Sequence, residues 1–74
     1  IAYGMAAPGH VRVAIWDLRG RKVRTLLDGE ADAGRRTLTW DGRDDGGRML
    51  AAGIYFCAIE VNGTRSRSRI ALVE

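Results

Sequence analysis

Apolar and polar residues alternate with a period of two along much of this chain, and glycine breaks the alternation at short intervals. Val11, Val13 and Ile15 share one face of a strand while Arg12 and Ala14 share the other, the pattern of a strand with one buried side. Strands are expected over residues 1–5, 10–17, 22–27, 35–40, 53–61 and 64–73. No stretch of about ten residues carries apolar positions at helical spacing without a glycine inside it, so no helix is predicted.

Two turns are specified by their residues. Leu18-Arg19-Gly20-Arg21 closes a tight hairpin, with Gly20 supplying a positive φ. Asn62-Gly63 has the chemistry of a type I′ turn, which needs positive φ at both central positions. A two-residue loop fixes register. Val61 then faces Thr64, Ile59 faces Ser66, Cys57 faces Ser68 and Tyr55 faces Ile70; on the other face Glu60 meets Arg65, Ala58 meets Arg67 and Phe56 meets Arg69. Residues 28–34 read as a loop, and the polar, glycine-rich residues 41–48 as a longer surface loop.

About six or seven short strands in so small a chain predict an all-β fold, a small immunoglobulin-like β-sandwich. Its expected core is Val11, Val13, Ile15, Val23, Leu26, Leu38, Trp40, Tyr55, Cys57, Ile59, Ile70 and Leu72. The chain of 74 residues opens on Ile1 and alternates at once. It is expected to be one domain, 1–74, cut from something longer; if the parent is exported, its signal lies upstream.

Composition narrows the function. The balance of 46% hydrophobic and 28% charged residues is that of a globular chain, and no apolar run approaches the roughly 20 residues of a membrane helix. One cysteine, Cys57, cannot pair within the chain, and one histidine, His10, has no partner for a Cys–His or Ser–His pair of ordinary type. The expectation is a non-enzyme without metal or other cofactor. The net charge is +3, carried by eleven arginines and one lysine against nine acids. The arginines are dispersed and interleaved with acids, which argues against nucleic-acid binding.

Three groups of residues could carry chemistry. Asp41, Asp44 and Asp45 resemble a calcium loop, but Arg43 and Ala52 occupy positions where an EF-hand needs ligands, so turn capping is the better reading. Arg65, Arg67 and Arg69 share one face of the last strand beside Phe56 and Glu60, a basic stripe able to grip an acidic ligand or a partner, with Phe56 beneath Arg69 as a cation–π pair. The same arrangement also suits an exposed sheet face whose charges discourage edge pairing. The aromatics Tyr3, Trp16, Trp40, Tyr55 and Phe56 could line a sugar-binding platform, but Trp40 and Tyr55 suit the core better, and Trp16, out of phase with Val11, Val13 and Ile15, is either exposed or covers the far side of the sheet.

The segment Gly9-His10-Val11-Arg12-Val13-Ala14-Ile15-Trp16-Asp17-Leu18-Arg19-Gly20-Arg21-Lys22-Val23-Arg24-Thr25-Leu26 resembles the corresponding stretch of FlgD-like immunoglobulin-like domains, named after the flagellar hook-capping protein. Trp40-Asp41-Gly42-Arg43-Asp44-Asp45-Gly46-Gly47, Gly53-Ile54-Tyr55-Phe56 and Arg69-Ile70-Ala71-Leu72 are similar to further motifs of that family, in the same order. The chain departs from it at Ala6-Ala7-Pro8, where members often carry Leu-Pro, and at Val73-Glu74, where the similar sorting domains end in Lys or Arg.

The resemblance implies structural roles. Asp17 and Gly20 shape the first hairpin, Trp40 anchors the sandwich, and Asp41, Gly42 and Asp44 form the loop beneath it. Gly53 admits the chain to the fifth strand without a Cβ clash, and Tyr55 fills the core. It also implies a non-catalytic, C-terminal accessory domain of an exported bacterial protein, secreted or at the cell surface. That domain would act in type IX secretion sorting, attachment or spacing. Its expected partner is a protein, either secretion machinery or a cell-surface component. Neither nucleic acid nor membrane insertion is expected, and the isolated domain should be a monomer. The alternatives are a structural module of a flagellar hook cap, which predicts ring-like oligomers, and a glycan-binding module, which predicts an exposed Trp16.

Overall fold

A computed structural model describes residues 1–73; Glu74, part of the ending at which the chain departs from sorting domains, lies outside the described residues. Six strands follow one another: β1 (Ala2–Met5), β2 (Gly9–Trp16), β3 (Lys22–Ala31), β4 (Gly34–Thr37), β5 (Gly53–Val61) and β6 (Thr64–Leu72). All pairings are antiparallel. Strands β1 and β4 form a small sheet; the other four form a larger sheet in the order β3-β2-β5-β6. This is the all-β sandwich the alternation predicts.

The inner faces of the two sheets meet at Met5, Val11, Val13, Ile15, Tyr55 and Cys57, which form the buried core. Burying each large aliphatic chain there is worth roughly 1.5–3 kcal/mol, offset by chain entropy of similar total size. Of the expected core, Val23, Leu26, Leu38, Trp40, Ile59, Ile70 and Leu72 pack against this cluster but remain partly exposed. A two-stranded sheet is too narrow to cover a four-stranded one, so the flanks of the larger sheet stay half open. Met5, absent from the expected core, is buried because it ends β1 on the face that packs against the larger sheet.

The β5–β6 hairpin has the expected register at every pair from Val61↔Thr64 to Tyr55↔Ile70. Asn62 (φ 49°) and Gly63 (φ 85°) both adopt the positive φ that a type I′ turn requires. Gly20 turns the β2–β3 hairpin at φ 86°. Gly53 corrects one expectation: a Cβ there would meet nothing, and its φ of 155° rather than a clash accounts for the glycine.

Strand β5 has the expected bounds, β1 and β2 each differ by no more than one residue at either end, and the remaining three strands differ as well. Strand β3 continues through Ala31 across residues expected to be a loop. Its polar positions face polar partners on β2, with Asp28 opposite Arg12 and Glu30 opposite His10, and cross-strand charge pairs make a strand where local composition suggests none. Strand β3 also shifts register opposite the Val13/Ala14 and Ile15/Trp16 steps. These bulges reset its alternation, so that Leu26 and Leu27 both reach the core. Strand β4 ends at Thr37 instead of Trp40, although Leu38 still pairs with Ile1 through both backbone groups. Strand β6 ends at Leu72, one residue short of the expected end.

Candidate functional site

Two regions collect the residues singled out in the sequence: the loop 41–48 and the outer face of the larger sheet.

The loop is held by its own aspartates. Asp41 Oδ1 accepts from the Arg43 N–H and from the Arg24 guanidinium, each at 3.0 Å. Asp44 Oδ1 accepts from the backbone N–H groups of Gly46 and Arg48, each at 2.9 Å. Asp45 ties the loop to the free edge of β3: its N–H donates to the Val23 carbonyl and its carboxylate accepts from the Thr25 N–H, both at 2.9 Å. Trp40 anchors the loop from below, its indole N–H donating to the Arg43 carbonyl at 3.0 Å. Its ring meets Tyr55 edge-on at 5.2 Å, and the Tyr55 hydroxyl donates to the Ala51 carbonyl at 2.7 Å. Gly42 (φ 78°) is buried under Leu72, where a Cβ would come within 2.9 Å of Leu72 Cδ1.

Asp17 acts similarly in the first hairpin, accepting from the N–H groups of Arg19 and Arg21, each at 2.9 Å. The Arg21 N–H above all holds the Asp17 carboxyl below the usual carboxylate range, and the Arg43 N–H does the same for Asp41. These carboxylates are already engaged by backbone donors. Among the described residues no group of His, Cys, Asp and Glu is arranged to hold a metal ion. Cys57 lies in the core, and burial pushes its thiol pKa up. No described helix is long and apolar enough to cross a membrane.

The outer face of β2, β5 and β6 carries the other region. Arg65, Arg67 and Arg69 are exposed there, as alternation requires. Their aromatic partners differ from expectation. Arg67, not Arg69, lies over Phe56, with Cζ 4.8 Å from the ring centroid, and Arg65 lies over Trp16 at 5.9 Å. Arg69 is opposite Phe56 in register, but a long side chain on a twisted sheet also reaches its diagonal neighbour, and Arg67 is that neighbour. Trp16 is half-buried on this face instead of standing clear of it, and its Nε1 is buried without a hydrogen-bond partner. A depression of about 270 Å³ is lined by Ala14, Ala58, Trp16, Glu60 and Arg65 among others. Sequence reasoning left Trp16 out of the basic face, yet the signal was present: Trp16 shares the parity of Arg12 and Ala14.

The family described as FlgD Ig-like domain matches residues 3–65 of this chain. The basal-body rod modification protein FlgD of Salmonella typhimurium is 47% identical to it over 49 residues, which cover 66% of this chain and 21% of the relative. The protein of the same name from Salmonella typhi is similar to the same extent. The chain thus spans about a fifth of the length of these curated relatives. No solved structure matches it.

These relatives overturn the reading as an exported accessory domain for type IX sorting, attachment or spacing. They are named for basal-body rod modification and not for secretion. The expected secretion-machinery partner and the secreted or cell-surface localisation are corrected by the same finding.

Proposed function

This chain belongs to the FlgD Ig-like domain family, and from that membership we propose that it is a structural assembly module of the flagellar hook cap. The observation that carries the reading is the 47% identity to a basal-body rod modification protein. The partner is then a protein of the growing flagellum, and the module works by presenting surfaces, without catalysis. Several features support a scaffold role. The one thiol is enclosed in the core. The aspartates are spent on turns and on the loop. His10 is paired at the surface with Asp28 at 2.8 Å. A sandwich stitched in this way offers a stiff face at low entropic cost, which favours docking.

The test is genetic. Deleting residues 1–74 in frame from the gene that encodes them is expected to abolish swimming in soft agar and to leave cells without hooks in electron micrographs. Normal hooks and normal swimming would refute the reading.

A further inference from the structure

The outer face of β2, β5 and β6 combines features that the assembly reading does not use. Arg12, Lys22, Arg65, Arg67 and Arg69 bring positive charge to it, whereas β5 contributes one acid, Glu60. Asp28, at the β3 margin, is engaged by His10 at 2.8 Å and Arg12 at 3.4 Å. Among the described residues Arg65, Arg67 and Arg69 make no ion pair. Two of them are nonetheless positioned, Arg67 against Phe56 and Arg65 against Trp16. A guanidinium stacked on a ring loses less freedom on binding and keeps its donor edges for a carboxylate.

We propose that this face docks an extended acidic segment of a partner protein, with Arg65 and Arg67 taking carboxylates beside the Trp16 depression. Alternate side chains on a strand repeat at about 6.6 Å, so Arg65, Arg67 and Arg69 match carboxylates at every second position of an extended chain. The half-buried Trp16 ring forms part of the wall of the depression, beside the Arg65 guanidinium. The rings of Trp16 and Phe56 are already covered by guanidinium groups, which leaves poor stacking platforms for nucleobases. These points favour a carboxylate-bearing peptide over a nucleic acid. The inference goes beyond the flagellar reading and does not depend on it.

The probe is a capped octapeptide of alternating Glu and Thr, titrated into the protein while tryptophan fluorescence and backbone amide NMR shifts are recorded. Saturable binding that weakens with added salt is expected, with shifts concentrated on β2, β5 and β6. The Arg65→Ala/Arg67→Ala double variant is expected to bind about tenfold more weakly with an unchanged melting temperature. Arg35→Ala/Arg36→Ala, on β4, should bind like the parent. The proposal is overturned if the matching Gln-Thr peptide binds as well, or if the β4 variant loses as much affinity as the double variant. It is overturned equally if shifts map to the loop 41–48, or if oligothymidylate or phosphatidylserine vesicles bind the face more tightly than the acidic peptide.

Discussion

Asn62 is bound to His10 in both directions: its N–H donates to the His10 carbonyl and its Oδ1 accepts from the His10 N–H, each at 3.0 Å. The turn of the β5–β6 hairpin is thereby fastened to the start of β2. A Cβ on Gly9 would overlap the Asn62 amide, so the glycine makes room for this contact. Asn62→Ala is expected to cost about 1–3 kcal/mol, because it loses a hydrogen bond and places alanine at positive φ. Asn62→Gly keeps the turn and should cost only the hydrogen bond, about 1 kcal/mol. Urea midpoints of the two variants separate the terms; equal losses would mean that the turn conformation contributes nothing.

Gly42 and Gly20 share a positive φ but differ in surroundings. Gly42 abuts Leu72, whereas a Cβ at Gly20 meets open space. Gly20→Ala should cost about 1 kcal/mol from backbone conformation alone. Gly42→Ala should cost more, by a further 1 kcal/mol or so, because Leu72 must give way. Thermal unfolding of both would contradict this account if Gly20→Ala were the more damaging.

Acid should destabilise the domain through Asp17 and Asp41. Both are held below the usual carboxylate range, chiefly by the backbone N–H of Arg21 and of Arg43. A carboxyl depressed in the folded state stabilises fully above its unfolded pKa, roughly 4, and that contribution is lost as pH falls through the lower folded value. The melting temperature should therefore be level from neutral pH to about 5 and fall below about 4. Asp17→Asn should make the acid decline shallower. A decline already complete above the ordinary aspartate range would contradict the assignment.

Cys57 should be inert while the domain is folded. It is enclosed in the core, and burial raises its thiol pKa. Ellman's reagent should modify it only after denaturant is added, at the rate of unfolding. Cys57→Ser buries a hydroxyl in apolar surroundings and should cost about 1–3 kcal/mol in a urea titration. Fast native-state modification would mean that the core opens locally.

By itself the sequence determined what depends on neighbouring residues. The two-residue turn at Asn62-Gly63 set the β5–β6 register, because positive φ is a local property and a short loop leaves no freedom to slip. The parity of Val11, Val13 and Ile15 set which face of β2 is buried. Asp17, Asp41 and Asp44 were legible as turn residues, since each accepts from N–H groups two to four positions away. Only the tertiary structure decided what depends on distant partners. Strand β3 runs through Asp28, Gly29 and Glu30 because β2 lies beside it with complementary charges. Its bulges turn both Leu26 and Leu27 inward, which no strict alternation predicts. Met5 is buried because a narrow second sheet covers the centre of a wider one. Arg67 takes Phe56 on the diagonal, and Arg65 reaches across β5 to Trp16 on β2, because sheet twist and side-chain length act between strands.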